Sequence, residues 1–224
     1  MELPHTTFYG LPHRRTFAAW RARVPPGFRF AVKANRYITH VKRLRDPAAS
    51  VGRFLRAAAG LGPALGPLLF QLPGAWHADA GRLSGLAEYI GRQQILPGAQ
   101  VALEVRHGSW LAPQALSLLE RFGWALCLAD WPELPVEGPV TAPFVYACRH
   151  GPGARYASGY SPAALERDAR RVKGWLAEGR QVYVYFNNDA QGYAVRDAAA
   201  LGRLLGEGAA WRVGAALDAR RRAG

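Results

Sequence analysis

Six short segments of the chain are apolar almost throughout and end on a polar or charged residue. They are Phe30-Ala-Val-Lys33, Leu68-Leu-Phe-Gln71, Val101-Ala-Leu-Glu-Val-Arg106, Ala125-Leu-Cys-Leu-Ala-Asp130, Phe144-Val-Tyr-Ala-Cys-Arg149 and Val182-Tyr-Val-Tyr-Phe-Asn187. Strands that are apolar along their length and polar only at the carboxyl end are buried on both faces, as in a parallel sheet. Nearly every one runs on into a helical stretch. The spacing predicts helices over 46–61, 81–92, 113–122, 161–178 and 193–205. Asp46-Pro47 and Ser161-Pro162 supply caps with an N1 proline, and Gly60, Gly62 and Gly179 supply stops. Alternation of this kind makes right-handed βαβ units and an α/β class. No linker or composition break suggests a second domain, so residues 1–224 read as one domain.

Alternate strand residues face opposite sides, which sorts the polar ends. Glu104 and Arg106 share a face with Ala102, Lys33 goes with Ala31, and Gln71 with Leu69. The same parity groups Asp130 with Leu128, Arg149 with Val145 and Ala147, and Asn187 with Tyr183 and Tyr185. The polar groups thus continue one inward row and end it. In a closed (β/α) barrel those ends converge on one mouth, where the chemistry sits.

Composition changes this picture little. Half of the 224 residues are hydrophobic and a fifth charged, a globular balance. No apolar run approaches the roughly 20 residues of a membrane span. No signal-peptide pattern opens the chain, and a cytoplasmic setting with no membrane partner is expected. Cys127 and Cys148 form no Cys-x-x-Cys pair, and their parity places them against the helices. The net charge of +13 normally favours an anionic partner. Here the cations are mostly arginine and are spread over helices, with one cluster at Arg220 to Arg222, so a solvated surface accounts for most of them.

Seven stretches, in order, resemble one family. They are Thr7-Phe-Tyr, Phe28-Arg-Phe-Ala-Val-Lys-Ala with Tyr37-Ile-Thr-His40, Gly66-Pro-Leu-Leu-Phe-Gln-Leu-Pro73, Glu104-Val-Arg-His-Gly-Ser-Trp110, Ala129-Asp130, Arg149-His-Gly151 and Tyr183-Val-Tyr-Phe-Asn-Asn-Asp189. Together they resemble the YecE-like family, the domain-of-unknown-function-72 group, over residues 6 to 205. The resemblance implies a TIM-type (β/α) barrel and carries no settled activity. Family members usually begin with a strand, a helix and a second strand reading roughly Val-Glu-x-Asn. This chain is expected to lack the first strand, its helix and most of the second strand, through a start assigned too far downstream or an open barrel completed by a partner.

The inward row yields the candidate site. Lys33, Arg106 and Arg149, cations on three strands, suit a carboxylate or phosphate, which arginine binds in a bidentate manner. Glu104 and Asp130 are the catalytic candidates as general acid and base. Gln71, Asn187, His150 and Trp110 complete the substrate-binding set. The competing reading makes Glu104–Arg106 and Asp130–Arg149 structural ion pairs. Glu104, Asp130, His150 and Asp189 are acceptable metal ligands, but no His-x-His or His-Glu-x-x-His spacing supports a metal and none is assigned. Loop aromatics Tyr37, Trp110, Trp131, Tyr156 and Tyr160 either stack a sugar or base or cap the sheet. The loop Gly151-Pro-Gly153 with Arg155-Tyr156 approaches an anion, yet no P-loop or dinucleotide fingerprint occurs, and no cofactor is identified. His40, His107 and His150 read as hydrogen-bonded loop histidines.

The leading expectation is an enzyme on a small anionic substrate, with hydrolase, lyase or isomerase chemistry. The alternative is a nucleic-acid-binding or nuclease-like barrel, and a partner-completed structural subunit stands third.

Overall fold

A computed structural model describes residues 5–131, 134, 137–153 and 156–206. The expected remnant of the second strand at residues 1–4, Arg155 and the Arg220 to Arg222 cluster lie outside the described residues. The chain divides into two compact units, residues 3–146 and residues 147 onward.

The first unit opens with α1 (His5–Tyr9) and α2 (Arg14–Arg21), followed by β1 (Phe30–Lys33) and α3 (Pro47–Ala58). It continues with β2 (Leu65–Gln71), α4 (Ala80–Arg92), β3 (Val101–Glu104), α5 (Pro113–Phe122) and β4 (Ala125–Ala129). Strand β5 (Phe144–Arg149) passes from the first unit into the second. There α6 (Pro162–Ala177), β6 (Gln181–Phe186) and α7 (Tyr193–Leu205) follow. Every expected strand and helix is present within a few residues of its expected bounds. The pattern did not announce α1, α2 or the π-helical turn of Tyr37–Val41, which are short or lack a sustained apolar stripe.

The strands hydrogen-bond in sequence order, β1-β2-β3-β4-β5-β6, and the pairs β1–β2, β2–β3 and β3–β4 are parallel. This corrects the expected TIM-type barrel. The six described strands form an open series with β1 and β6 as its ends, an α/β sheet rather than a closed one. Alternating strand and helix is written into open and closed sheets alike. Closure depends on strand number and stagger, which apolar runs do not encode.

Local chemistry explains the helix ends, with one exception. Asp79 accepts the Arg82 N–H at 3.0 Å to start α4, and Ser161 accepts the Ala164 N–H at 3.3 Å to start α6. Asp46 does not cap α3. Its φ of 47° is left-handed, and its carboxylate instead accepts from Lys42 Nζ at 3.3 Å. Gly60 serves packing, because a Cβ there would lie 2.3 Å from the Arg14 carbonyl oxygen of α2.

The helix-facing side of the sheet carries the bulk of the core. Phe54 of α3 meets Phe70 edge-on at 5.9 Å, and Trp124 stacks on Phe70 at 6.2 Å. Leu83, Leu86 and Ile90 of α4 and Leu119 of α5 are buried beside them. In the second unit Leu165, Ala169, Phe186, Ala194 and Leu201 form the apolar cluster. Among the described residues no helix is long and apolar enough to cross a membrane.

Candidate functional site

Register decides which side chains share a face. Lys33 pairs with Leu69, Gln71 with Glu104, and Ala102 with Ala125. Lys33, Gln71 and Glu104 therefore project from one face at the carboxyl ends of three adjacent parallel strands. Ligands of α/β sheets bind outside that edge. On β4 the same register puts Ala125, and with it Cys127, on the Glu104 face. Cys127 Sγ and a Glu104 carboxylate oxygen lie within 4.8 Å. This corrects the expectation that Cys127 packs against the helices. It also separates Leu128 from the polar row, since Leu126 pairs with helix-facing Leu103. Asp130 follows the last residue of β4 and is partly exposed.

Arg106 is held on two sides. Its Nε and Nη2 donate to Glu104 Oε1 at 3.1 and 2.9 Å. Its guanidinium lies 4.0 Å from the centre of the Trp131 ring, a cation–π contact. Glu104 is 2% exposed. A charge so buried requires such a partner.

Lys33 Nζ sits 4.6 Å over the Phe8 ring, and the His40 ring meets the same phenyl edge-on at 5.2 Å. The Thr7 hydroxyl donates to the Lys33 carbonyl at 3.0 Å, and Asn35 Nδ2 donates to the Thr7 carbonyl at 3.3 Å. These bonds bring α1 onto the end of β1. His40 Nδ1 is 2.9 Å from the Thr39 hydroxyl. Burial, then the positive charges of Arg36, Lys33 and Arg106, push its pKa down to about 4, against the opposing pull of Glu104. His40 is thus neutral at pH 7 and lies within the field of this cluster. The expected hydrogen-bonded loop histidine is borne out by the Thr39 contact, while its packing on Phe8 of α1 is not legible from the local sequence. The signal at hand was the Thr39-His40 pair shortly after Lys33.

Other expected residues have different surroundings. Trp110 is 1% exposed and donates its indole N–H to the Trp76 carbonyl at 2.8 Å, so it anchors the loop after β2. His107 accepts from the Ser109 N–H at 3.2 Å, and its ring lies 3.9 Å from that of His77. Ser109 Oγ accepts the Ala78 N–H at 2.8 Å, a structural use of the hydroxyl.

Arg149, His150 and Asn187 belong to the second unit. Arg149 donates through Nε and Nη2 to both carboxylate oxygens of Asp168 on α6, at 2.6 and 2.8 Å. Both residues are buried, and Arg171 approaches the same carboxylate at 3.3 Å. This pair ties β5 to α6, which the parity reading missed by placing Arg149 in the inward row. Asn187 Nδ2 contacts His150 Nδ1 at 3.3 Å, and Tyr156 meets the His150 ring edge-on at 5.4 Å. Asn188 Nδ2 donates to Asp197 at 2.7 Å and to the Ser158 carbonyl at 2.9 Å.

For a metal, the first unit brings together the Glu104 carboxylate and the Cys127 thiol, two donors where zinc takes four. Arg106 already occupies that carboxylate.

Comparison with known proteins gives the family and no activity. A family model described as "Protein of unknown function DUF72" matches residues 5–220. No curated protein matches. A DUF72 family protein from Enterococcus faecalis, solved at 2.52 Å resolution, has a TM-score of 0.73 at 23% identity, with 90% of this chain and 87% of that one covered. A DUF72 family protein from Thermotoga maritima, solved at 2.20 Å, has a TM-score of 0.73 at 26% identity, with 89% and 82% covered. With a family model spanning nearly its whole length and neighbours of the same fold, the chain belongs to the DUF72 family.

Proposed function

We propose that this protein is an enzyme acting on a small anionic substrate, bearing a phosphate or carboxylate, at the carboxyl edge of β1, β2 and β3. The observation that carries this reading is the shared face of Lys33, Gln71 and Glu104 at the carboxyl ends of three adjacent strands, with Arg106 held against Glu104. A lysine and an arginine at that edge suit the recognition of a phosphate or carboxylate. Arg106 is already oriented by Glu104 and Trp131, so little side-chain freedom is lost when it binds. Lys33 and Arg106 take the anion, and Gln71, 5% exposed and level with Glu104, orients the substrate. Glu104 serves proton transfer, which suits hydrolase, lyase or isomerase chemistry, and Asp130 is left out because β4 carries its parity away from the polar row. Arg149 is left out of the binding set because its guanidinium is engaged by Asp168.

A nucleic-acid ligand is the second reading. It rests on Tyr9 and Tyr37, 77% and 44% exposed beside Phe8 and Arg36 and suited to stacking bases, and on the net charge of +13.

Thermal melting against small phosphorylated and carboxylated metabolites and against short oligonucleotides, at low and high salt, separates the two. A ligand at about a hundred times its dissociation constant stabilises by roughly 2.7 kcal/mol. The expected result is a shift with a small anion that disappears in Arg106→Ala. A shift with oligonucleotides alone, erased by salt, moves the function to nucleic acid.

A further inference from the structure

Asp168 and Asp197 are both buried carboxylates of the second unit, and their surroundings differ. Asp168 is matched by two arginines, Arg149 and Arg171. Asp197, on α7 and 7% exposed, has no cation partner among the described residues. Its Oδ2 accepts from Asn188 Nδ2 at 2.7 Å and from the Tyr160 N–H at 3.2 Å, and its Oδ1 makes no hydrogen bond. Asn188 also donates to the Ser158 carbonyl at 2.9 Å, and its own Oδ1 is buried without a donor. This network holds more acceptors than donors, and one charge without a counterion. A buried carboxylate in that condition is destabilising unless a cation reaches it.

A route to it exists. Asp197 lines a groove of about 710 Å³ between α6 and α7, a size that suits a small ligand, for which sites run roughly 300–1,000 Å³. The walls are mainly apolar, with Leu165 on α6 and Val195, Ala199 and Leu204 on α7. Val195 and Leu204 are exposed there. Two arginines share the lining. Arg196 is turned toward the start of α7, where it donates to the Gln191 carbonyl at 2.9 Å and lies 4.7 Å over the Tyr193 ring. Arg203 stands nearly two turns further along the helix than Asp197. Glu166, exposed on α6, is the other acid of the groove.

We propose that this groove binds a short aliphatic amine, with its ammonium on Asp197 Oδ1 and its hydrocarbon stem along Leu165, Val195 and Leu204. An ammonium brings three donors and the missing charge to an oxygen that lacks both. A divalent metal ion fits less well. It requires several oxygen ligands, and among the described residues Asp197 belongs to no group of three His, Cys, Asp or Glu donors. A diamine would carry its second cation toward Arg203, so the far end of the ligand is neutral or acidic. The site lies wholly in the second unit, and its failure would leave the anion reading of the first untouched.

The test is an NMR titration of the isotope-labelled full chain at neutral pH with pentan-1-amine and, separately, with pentanoate. The Tyr160 amide reports directly, because it donates to the Asp197 carboxylate. The expected result is a saturable shift of that amide, and of those of Val195 and Leu204, with the amine and not with pentanoate. A protein of net charge +13 attracts anions non-specifically, so a preference for the amine points to the local carboxylate. Asp197→Asn keeps the side chain's shape and an acceptor oxygen, and should weaken amine binding about tenfold or more. Because Asp197 also ties Tyr160 to α7, Ala199→Trp, at a half-buried position of the wall, is the second variant. It should fill the groove, leave the Asp197 network intact and abolish the shift. Amine binding that is unchanged in either folded variant overturns the proposal. An equal response to pentanoate, or no saturable response to the amine, overturns it as well.

Discussion

Arg106 and Glu104 form an ion pair within one chain segment, with two guanidinium nitrogens on a single carboxylate oxygen at 3.1 and 2.9 Å. Glu104 is the last residue of β3 and Arg106 follows two residues on, so the guanidinium is oriented by the carboxylate at the strand end and by the Trp131 ring. The pair serves structure and binding together, because a buried carboxylate requires a partner and an anion receptor requires a fixed cation. Replacing Glu104 by Gln keeps the shape and removes the charge. It should cost about 1–3 kcal/mol in urea unfolding and abolish turnover once a substrate is found. Unchanged stability would show that Arg106 gains nothing from the pair.

Asp168 and Arg149 are the second buried pair, and both are nearly inaccessible. Removing one partner of such a pair costs about 3–5 kcal/mol, while replacing both with apolar residues costs far less. Asp168→Leu alone should therefore destabilise strongly, and Arg149→Met with Asp168→Leu should recover most of the loss. Urea denaturation of both single variants and the double variant measures it. A double variant no better than the worse single one would mean that Arg149 acts through some other contact.

The low pKa of His40 sets a pH dependence. The unfolded chain takes up this proton near 6.5 and the folded chain near 4, so between those values the unfolded state binds more protons. Stability contributed by neutral His40 is complete above about 6.5 and is lost as pH falls toward 4. In His40→Gln that part of the pH profile should flatten. An identical profile would show that other groups set the acid limb.

The two aspartates before α3 and α4 should behave oppositely. Asp79→Ala removes a side-chain cap and should cost about 1 kcal/mol. Asp46→Gly relieves a left-handed residue and loses only an exposed ion pair, so it should be neutral or stabilising by up to about 1 kcal/mol. Thermal melts of the two variants give the comparison directly.

That contrast also shows what the sequence could disclose. Asp46-Pro47 reads as a helix start, and Pro47 does stand at the first position of α3, whereas the cap Asp79 went unread. Only the wide turn before α3 shows that Asp46 is left-handed, and that turn is set by Leu44 entering the core. Strands were legible because each is an unbroken apolar run with a polar end. Lys33, Gln71 and Glu104 fell on one face as parity predicted. Parity failed for β4 and β5, where Cys127 lies beside Glu104 and Arg149 is paired on α6. In strands buried on both faces, alternation carries no hydrophobic contrast to reveal which side is which. His40 was read as a hydrogen-bonded loop histidine, as its contact with Thr39 bears out, but its packing on Phe8 was not legible because that neighbour lies far away in the chain.

A π-helical turn is what an α-helical turn becomes when it accommodates one additional residue. Its consequence here is a matter of phase. With about 100° of rotation per residue, deleting one of residues 37–39 would restore an ordinary turn and swing every later position of the segment, His40 included, round by that angle. β1 and α3 would keep their anchors, and Lys33 would stay over Phe8, while the imidazole would turn away from both. The length of this one turn, more than the identity of any residue in it, thus keeps a histidine and a lysine in step.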